Sequence, residues 1–303
     1  MGNFSVAVGM FGVHNYYGGD ARGYLEAAKL ADAAGVDQVV FTDHVVMGEH
    51  TDRYPYGPFP LPPSAPWFEP LTLLSAIAAV TARIELATGI LIAPLRPAAV
   101  LAKTLATLDT LAPGRLQIGI GTGWQREEFE AVGLDFDRAW TILDDGVRAM
   151  KALWREAPAS FASSTVSFER IYSTPFPRDG GIPIWYGVKP TPRQAQRIAE
   201  LGAGWIPIST DFDYVRDGVA RIREAFVAAG RDPATLAVRA HLPMHFDASG
   251  KGNLERTIAD NLGYFLSEDP PERLTVETRT ILGERLELLI DEANAAGGPD
   301  NIT

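Results

Sequence analysis

Short apolar runs alternate with helix-period segments along the whole chain. The first run covers residues 6–11. A helical pattern follows it, with Asp20 as the expected N-cap, Tyr24, Leu25, Ala28 and Ala31 on one face, and Gly35 as the stop. A second run covers 36–42, and the next helix and strand cover 70–82 and 84–93. Over 97–111, Val100, Leu101, Thr104, Leu105 and Leu108 fall at helical spacing; Gly114 ends that helix and 116–120 is the following strand. Trp140, Leu143, Val147, Met150 and Trp154 step by 3, 4, 3 and 4, the pattern of an amphipathic helix. Residues 182–186 read as a strand, and 192–201 as a helix with Thr191 as N-cap, Pro192 at its first position and Gly202 as its stop. Then come a strand at 205–208, a helix marked by Val215, Val219, Ile222 and Phe226, and a strand at 236–242. Leu254, Ile258, Leu262 and Phe265 mark another helix, 274–278 a weak eighth strand and 281–295 a last helix.

Eight strand–helix units over 303 residues predict an α/β fold, a (β/α)8 TIM barrel, as one domain over 1–303. Strands that are apolar on both sides fit a parallel sheet covered by helices. A doubly wound open sheet is the alternative on the same pattern. Two segments exceed plain connectors and are expected as insertions at the C-terminal face. Residues 45–68 carry six prolines and five aromatics (Tyr54, Tyr56, Phe59, Trp67 and Phe68), which favours a packed lid over a floppy loop. Residues 155–181, before the fifth strand, are Ser-rich and hold a strand-like stretch at 165–168.

Composition narrows the function. With 27 Lys and Arg against 38 Asp and Glu, the net charge of −11 argues against nucleic acid or an anionic membrane as partner. The absence of cysteine removes disulfides, thiolate catalysis and Cys-ligated metals. No leader and no apolar run near the roughly 20 residues of a membrane span are visible, so a cytoplasmic protein is expected.

Candidate chemistry collects where strands end. Thr42-Asp43-His44 closes the second strand, and an imidazole there can titrate or donate near neutral pH, or simply pack. His14 follows the first strand, and alternation puts Arg239, His241 and His245 on one side of the seventh. No His-x-His or carboxylate-rich pattern supports a metal site built from these histidines, so none is expected. Gly119-Ile120-Gly121-Thr122-Gly123-Trp124 closes the fourth strand, with glycines that would admit a ligand close to the backbone. Gly187-Val188-Lys189-Pro190-Thr191-Pro192 closes the fifth and opens a helix, suiting either a phosphate or plain capping by Thr191.

These segments together resemble the luciferase-like flavin monooxygenase superfamily, and more closely its coenzyme F420-dependent branch. The likeness runs from Val6 to about Ile208. It rests on Glu26-Ala27-Ala28-Lys29-Leu30-Ala31-Asp32-Ala33-Ala34-Gly35 before Thr42-Asp43-His44, on Leu86-Ala87-Thr88-Gly89-Ile90-Leu91 before Arg96-Pro97, and on Gly119 to Trp124 running on to Glu127-Glu128-Phe129. Pro183-Ile184-Trp185 and Ala199-Glu200-Leu201-Gly202-Ala203-Gly204-Trp205 complete it.

The resemblance implies a barrel that binds a deazaflavin or flavin at its C-terminal mouth. It implies His44 beside the ring; His14 and His241, by their place near the mouth, are further catalytic candidates. It implies Thr88, Gly89 and Ile90 under the ring, with a cis peptide between the last two. Phe11, Gly121, Thr122, Gly123 and Trp124 would line the cofactor, and Gly187, Lys189 and Thr191 its phosphate. Lys189, Arg193 and Arg96 are the cations that would offset the acidic surface. The implied activity is hydride transfer between F420 and a small organic substrate. The alternatives are an FMN-dependent monooxygenase using O2 and a non-catalytic flavin-binding protein. A homo-oligomer, most simply a dimer, is implied as well. Two departures matter. F420-dependent sugar-phosphate dehydrogenases carry a Glu where this chain has Trp124, which weighs against glucose 6-phosphate. Val188 also follows Gly187 where a second glycine is usual.

Overall fold

A computed structural model describes residues 3–209, 211–242 and 273–278. In chain order the regular elements begin with β1 (Asn3–Gly9), α1 (Gly23–Ala33), β2 (Gln38–Phe41), α2 (Pro70–Val80), β3 (Glu85–Ile92) and α3 (Ala98–Leu111). They continue with β4 (Leu116–Gly121), α4 (Arg126–Ala131), α5 (Ala139–Arg155), β5 (Ala159–Ala162) and β6 (Ser167–Ile171). Then come β7 (Ile184–Gly187), α6 (Pro192–Leu201), β8 (Gly204–Ile206), α7 (Phe212–Ala228), β9 (Ala237–Leu242) and β10 (Arg273–Thr278).

Eight strands close into a parallel barrel in the order β1-β10-β9-β8-β7-β4-β3-β2, which excludes the open sheet. The weak eighth strand is real: β10 pairs with β1 through Asn3↔Arg273 to Val8↔Thr278 and with β9 through Ala237↔Arg273 to Leu242↔Thr278. The helices predicted around Leu254 and over 281–295 lie outside the described residues, as does His245. The insertion at 155–181 holds an antiparallel hairpin, β5–β6, beside the barrel.

Most predicted helix limits hold within a residue or two, because their caps are local. Glu69 accepts from Thr72 N–H ahead of α2, and Thr191 accepts from Gln194 N–H ahead of α6. Asp20 is the exception. Its carboxylate accepts from the Arg22 N–H and guanidinium, one turn before α1 begins at Gly23, so it shapes the approach rather than capping the helix.

The main core lies between the strands and the helices, where Leu86, Ile118, Ile184 and Val238 meet Leu74, Leu105, Met150 and Ile222. Inside the barrel, two contacts to Thr88 and Gly119 pair polar groups across strands. Thr88 Oγ1 donates to Gly119 O at 2.7 Å, and Arg239 Nη1 donates to Thr88 O at 3.0 Å. Arg239 is fully buried, with its guanidinium 5.1 Å from the Trp185 ring, so its side of the strand faces the barrel interior.

Crowding around β3 explains the glycines of β4. A Cβ on Gly119 would stand 2.2 Å from Thr88 O and 2.5 Å from Ile206 Cδ1. Backbone cannot yield as a side-chain tip can. Gly119→Ala should therefore destabilise the fold by about 1–3 kcal/mol or more, read as a lower urea midpoint.

Candidate active site at the barrel mouth

The C-terminal ends of the strands carry the candidate residues, each placed by a different constraint. Asp43, next to His44, is anchored hardest. Its Oδ2 accepts from Ile92 N–H at 2.8 Å and Arg96 Nη1 at 2.7 Å, and Oδ1 accepts from Arg96 Nη2 at 3.1 Å. Arg96 also reaches Glu69 at 2.8 Å. Burial alone would lower the Arg96 pKa, but its bonds to the Asp43 and Glu69 carboxylates raise it. This arginine therefore ties β2, β3 and α2 together, its charge engaged by two carboxylates.

His44 is held from the other side. Its Nδ1 lies 3.0 Å from Glu128 Oε2, and Glu128 is fully buried in α4. The ring is surrounded by aromatics: Trp67 at 4.5 Å, Trp124 at 6.0 Å and Phe59 at 6.1 Å between centroids. Trp67 continues to Phe11 at 4.9 Å, and Trp124 to Tyr54 at 5.3 Å. The 45–68 segment is thus a packed lid whose rings lie against the histidine. The buried indole N–H groups of Trp67 and Trp124 have no hydrogen-bond partner among the described residues.

The lid also meets the loop after β7. Tyr54 touches Tyr56 at 5.4 Å, and Lys189 Nζ sits 5.8 Å from the Tyr56 ring centroid. Exposed Lys189 and Thr191 share a cleft of about 340 Å³ with Tyr214, Asp217 and Arg221. The Tyr214 hydroxyl is buried without a partner among the described residues, and burial first, then neighbouring Tyr56, pushes its pKa up to about 12. It is therefore a neutral donor at working pH. Asp217 brings a negative charge to the cleft, offset by Arg216 at 3.0 Å. The Val188 side chain turns into the core while its carbonyl accepts from Trp205 Nε1 at 2.9 Å, which accounts for a valine at that place.

The mouth glycines serve the protein's own side chains. A Cβ on Gly121 would meet Ile90 at 2.9 Å, and one on Gly187 would meet it at 2.4 Å. Gly123 has φ +71°, with Ile92 3.0 Å from its would-be Cβ. Room for Ile90 and Ile92 is one thing these positions require. The peptide between Gly89 and Ile90 is cis, as the resemblance implies. Thr88 and Gly89 are buried, and Ile90 alone of the three is partly exposed. Thr122 is half-buried, its hydroxyl 3.2 Å from Gly123 O.

His14 stands apart from this group. It is buried, its Nδ1 is 2.9 Å from the Tyr24 hydroxyl, and its ring packs edge-on to Phe68 at 5.0 Å. His241 lies on β9, and its side chain is outside what the structure describes. Sequence reasoning passed over three residues. Glu128 and Asp43 were visible only as parts of matched segments, and Tyr214 carried no signal beyond a helix. Among the described residues no group of His, Asp and Glu could hold a metal, and no helix is long and apolar enough to cross a membrane.

A closed parallel barrel with a histidine, an aromatic segment and a cleft bearing Lys189 on its C-terminal rim is a (β/α)8 protein whose candidate residues gather where such barrels carry their sites. The chain belongs to the family described as Luciferase-like monooxygenase, which it matches over residues 3–275. An F420-dependent glucose-6-phosphate dehydrogenase of Kineococcus radiotolerans is 32% identical over 243 residues, 76% of this chain and 67% of that protein. An uncharacterised protein of Mycobacterium tuberculosis is 35% identical over 164 residues, 54% of this chain, and the match spans only 58% of the relative's length. The crystal structure of the monooxygenase RslO1 from Streptomyces bottropensis superposes with a TM-score of 0.75 at 20% identity, covering 96% of each chain. Solved structures of the same fold include complexes with F420 and with FMN.

Burial lowers the pKa of His14 below the ordinary imidazole value of 6.5. A native state that resists this proton loses stability to an unfolded state that accepts it. Stability should thus be complete above about pH 6.5 and fall as pH drops toward the lowered native value. Urea midpoints of the parent should decline across that window, and a His14→Gln variant should lose part of the decline.

Proposed function

We propose that the chain is an F420-dependent oxidoreductase acting on a small organic substrate, with the deazaflavin ring at the mouth and its phosphate in the Lys189 cleft. The observation that carries this is the set of unpartnered buried donors, the Trp67 and Trp124 indoles and the Tyr214 hydroxyl, spread between His44 and exposed Lys189. Buried donors without acceptors are rare in proteins and call for a ligand or water. A flat heterocycle with ring carbonyls and a phosphate tail supplies acceptors of that kind. The Gly121-Thr122-Gly123-Trp124 sequence and the F420-dependent relative favour deazaflavin over flavin.

When bound, F420 supplies a two-electron hydride donor or acceptor. The protein's work is binding, orientation and proton handling. Ile90 would support the ring from the barrel side, and the lid aromatics would exclude water and contact substrate. Lys189, Thr191 and Tyr214 would donate to the phosphate. His44 would exchange a proton with the substrate oxygen through Nε2, which has no partner among the described residues. Asp43 and Arg96 keep the end of β2 in place for that role. His14 and His241 are not needed for this reading.

Fluorescence titration should give F420 a much lower Kd than FMN, and stoichiometric FMN without F420 affinity would reverse the choice in favour of the monooxygenase. Lys189→Ala should weaken F420 about ten- to a hundredfold, the loss of one charge-assisted contact, at unchanged Tm. His44→Ala should lower kcat about 10²–10⁴-fold with F420 affinity kept. Equal turnover by parent and variant would remove His44 from the mechanism, and binding without turnover on any substrate would make the chain a carrier.

A further inference from the structure

Glu128 makes no ion pair with a lysine or arginine among the described residues, although it is fully buried. Its two oxygens have separate tasks. Oε1 accepts from Val45 N–H at 2.9 Å, and Oε2 faces His44 Nδ1 at 3.0 Å. The neighbouring Gln125 bonds both backbone groups of Gly48, N–H at 2.8 Å and C=O at 3.3 Å. The start of α4 is thereby fastened to the root of the lid, and the carboxylate cannot turn away from either partner.

We propose that Glu128 is a positioning residue that keeps the proton of neutral His44 on Nδ1, leaving Nε2 as a bare acceptor toward the mouth. An ionised carboxylate only accepts hydrogen bonds, so a bond to Nδ1 requires the proton on that nitrogen. The other nitrogen of a neutral imidazole then carries the lone pair. In acid–base sites of this kind the partner behind the histidine sets which tautomer faces the substrate. The mechanistic consequence rests on the role given to His44 above; the tautomer itself does not.

Glu128→Gln separates this role from simple fastening. The Gln carbonyl still accepts from Val45 N–H, and its amide now donates to His44 Nδ1, so both bonds and the packing survive. The imidazole proton is driven to Nε2. A residue that only held the lid would leave no trace in this variant.

Long-range proton–nitrogen NMR on the full chain at about pH 9, where an ordinary imidazole is neutral, reads the tautomer directly. A His44→Gln spectrum assigns the signals. The parent should show hydrogen on Nδ1 and a lone pair on Nε2, with and without F420, and Glu128→Gln should show the reverse at a similar Tm and F420 affinity. Hydrogen on Nε2 in the parent, or no reversal in a folded Glu128→Gln protein, would overturn the proposal. The parent spectrum decides even if the variant does not fold. Failure of F420 to bind the parent would sink the proposed function while leaving the tautomer result standing.

Discussion

Strand β3 is the crowded centre on which the barrel depends. Thr88 spends both its polar groups there, donating its hydroxyl to β4 and receiving Arg239 from β9 on its carbonyl. Two positions further on, Ile90 occupies the space above Gly121 and Gly187. Two strands, β4 and β7, must therefore forgo side chains so that β3 can fill the interior. Interiors packed at crystal density leave no other way to seat a bulky residue on the axis of a narrow barrel. The mouth inherits its floor from this arrangement, with Ile90 the partly exposed residue on top.

The walls come from elsewhere, and they are held by charge. Asp43 and Glu128 are both buried, and each fixes one side of the β2 terminus. Asp43 works through a bidentate arginine and Glu128 through backbone and imidazole. Removing one partner of such a set leaves a buried charge uncompensated, which is why these contacts position more firmly than surface ion pairs. His44 is thus clamped on the backbone side by one carboxylate and on the ring side by the other.

The alternation of apolar runs and helical faces carried the architecture, down to the faint eighth strand, because β10 needs only short-range apolar pattern to be recognised. Thr191 and Gly114 were readable because capping and positive φ are local requirements. The site was legible in parts. His44, Lys189 and Thr191 stood at strand ends, where topology alone directs attention. The packing of Ile90 and Ile92 over the glycines was not readable, since nothing in a linear pattern says which side chain will lie across them. The anchoring role of Arg96 was not readable because its partners, Asp43 and Glu69, are 53 and 27 residues away in sequence. Asp20 was misread as a cap because the same short acid can serve a turn or a helix, and only the backbone decides.

Closure of the barrel joins β1 to β10, so Val6 finds Val276 across 270 residues of chain. Such a contact is among the most remote a domain of this size can make, and the entropy of closing so long a loop is recovered only after the intervening strands are in place. Until then β1 and β9 are open edges of a seven-stranded sheet, with unpaired backbone groups that can recruit strands from other chains. The least conspicuous strand in the sequence therefore governs how safely the protein reaches its native state. Its job is to arrive last and leave no edge exposed.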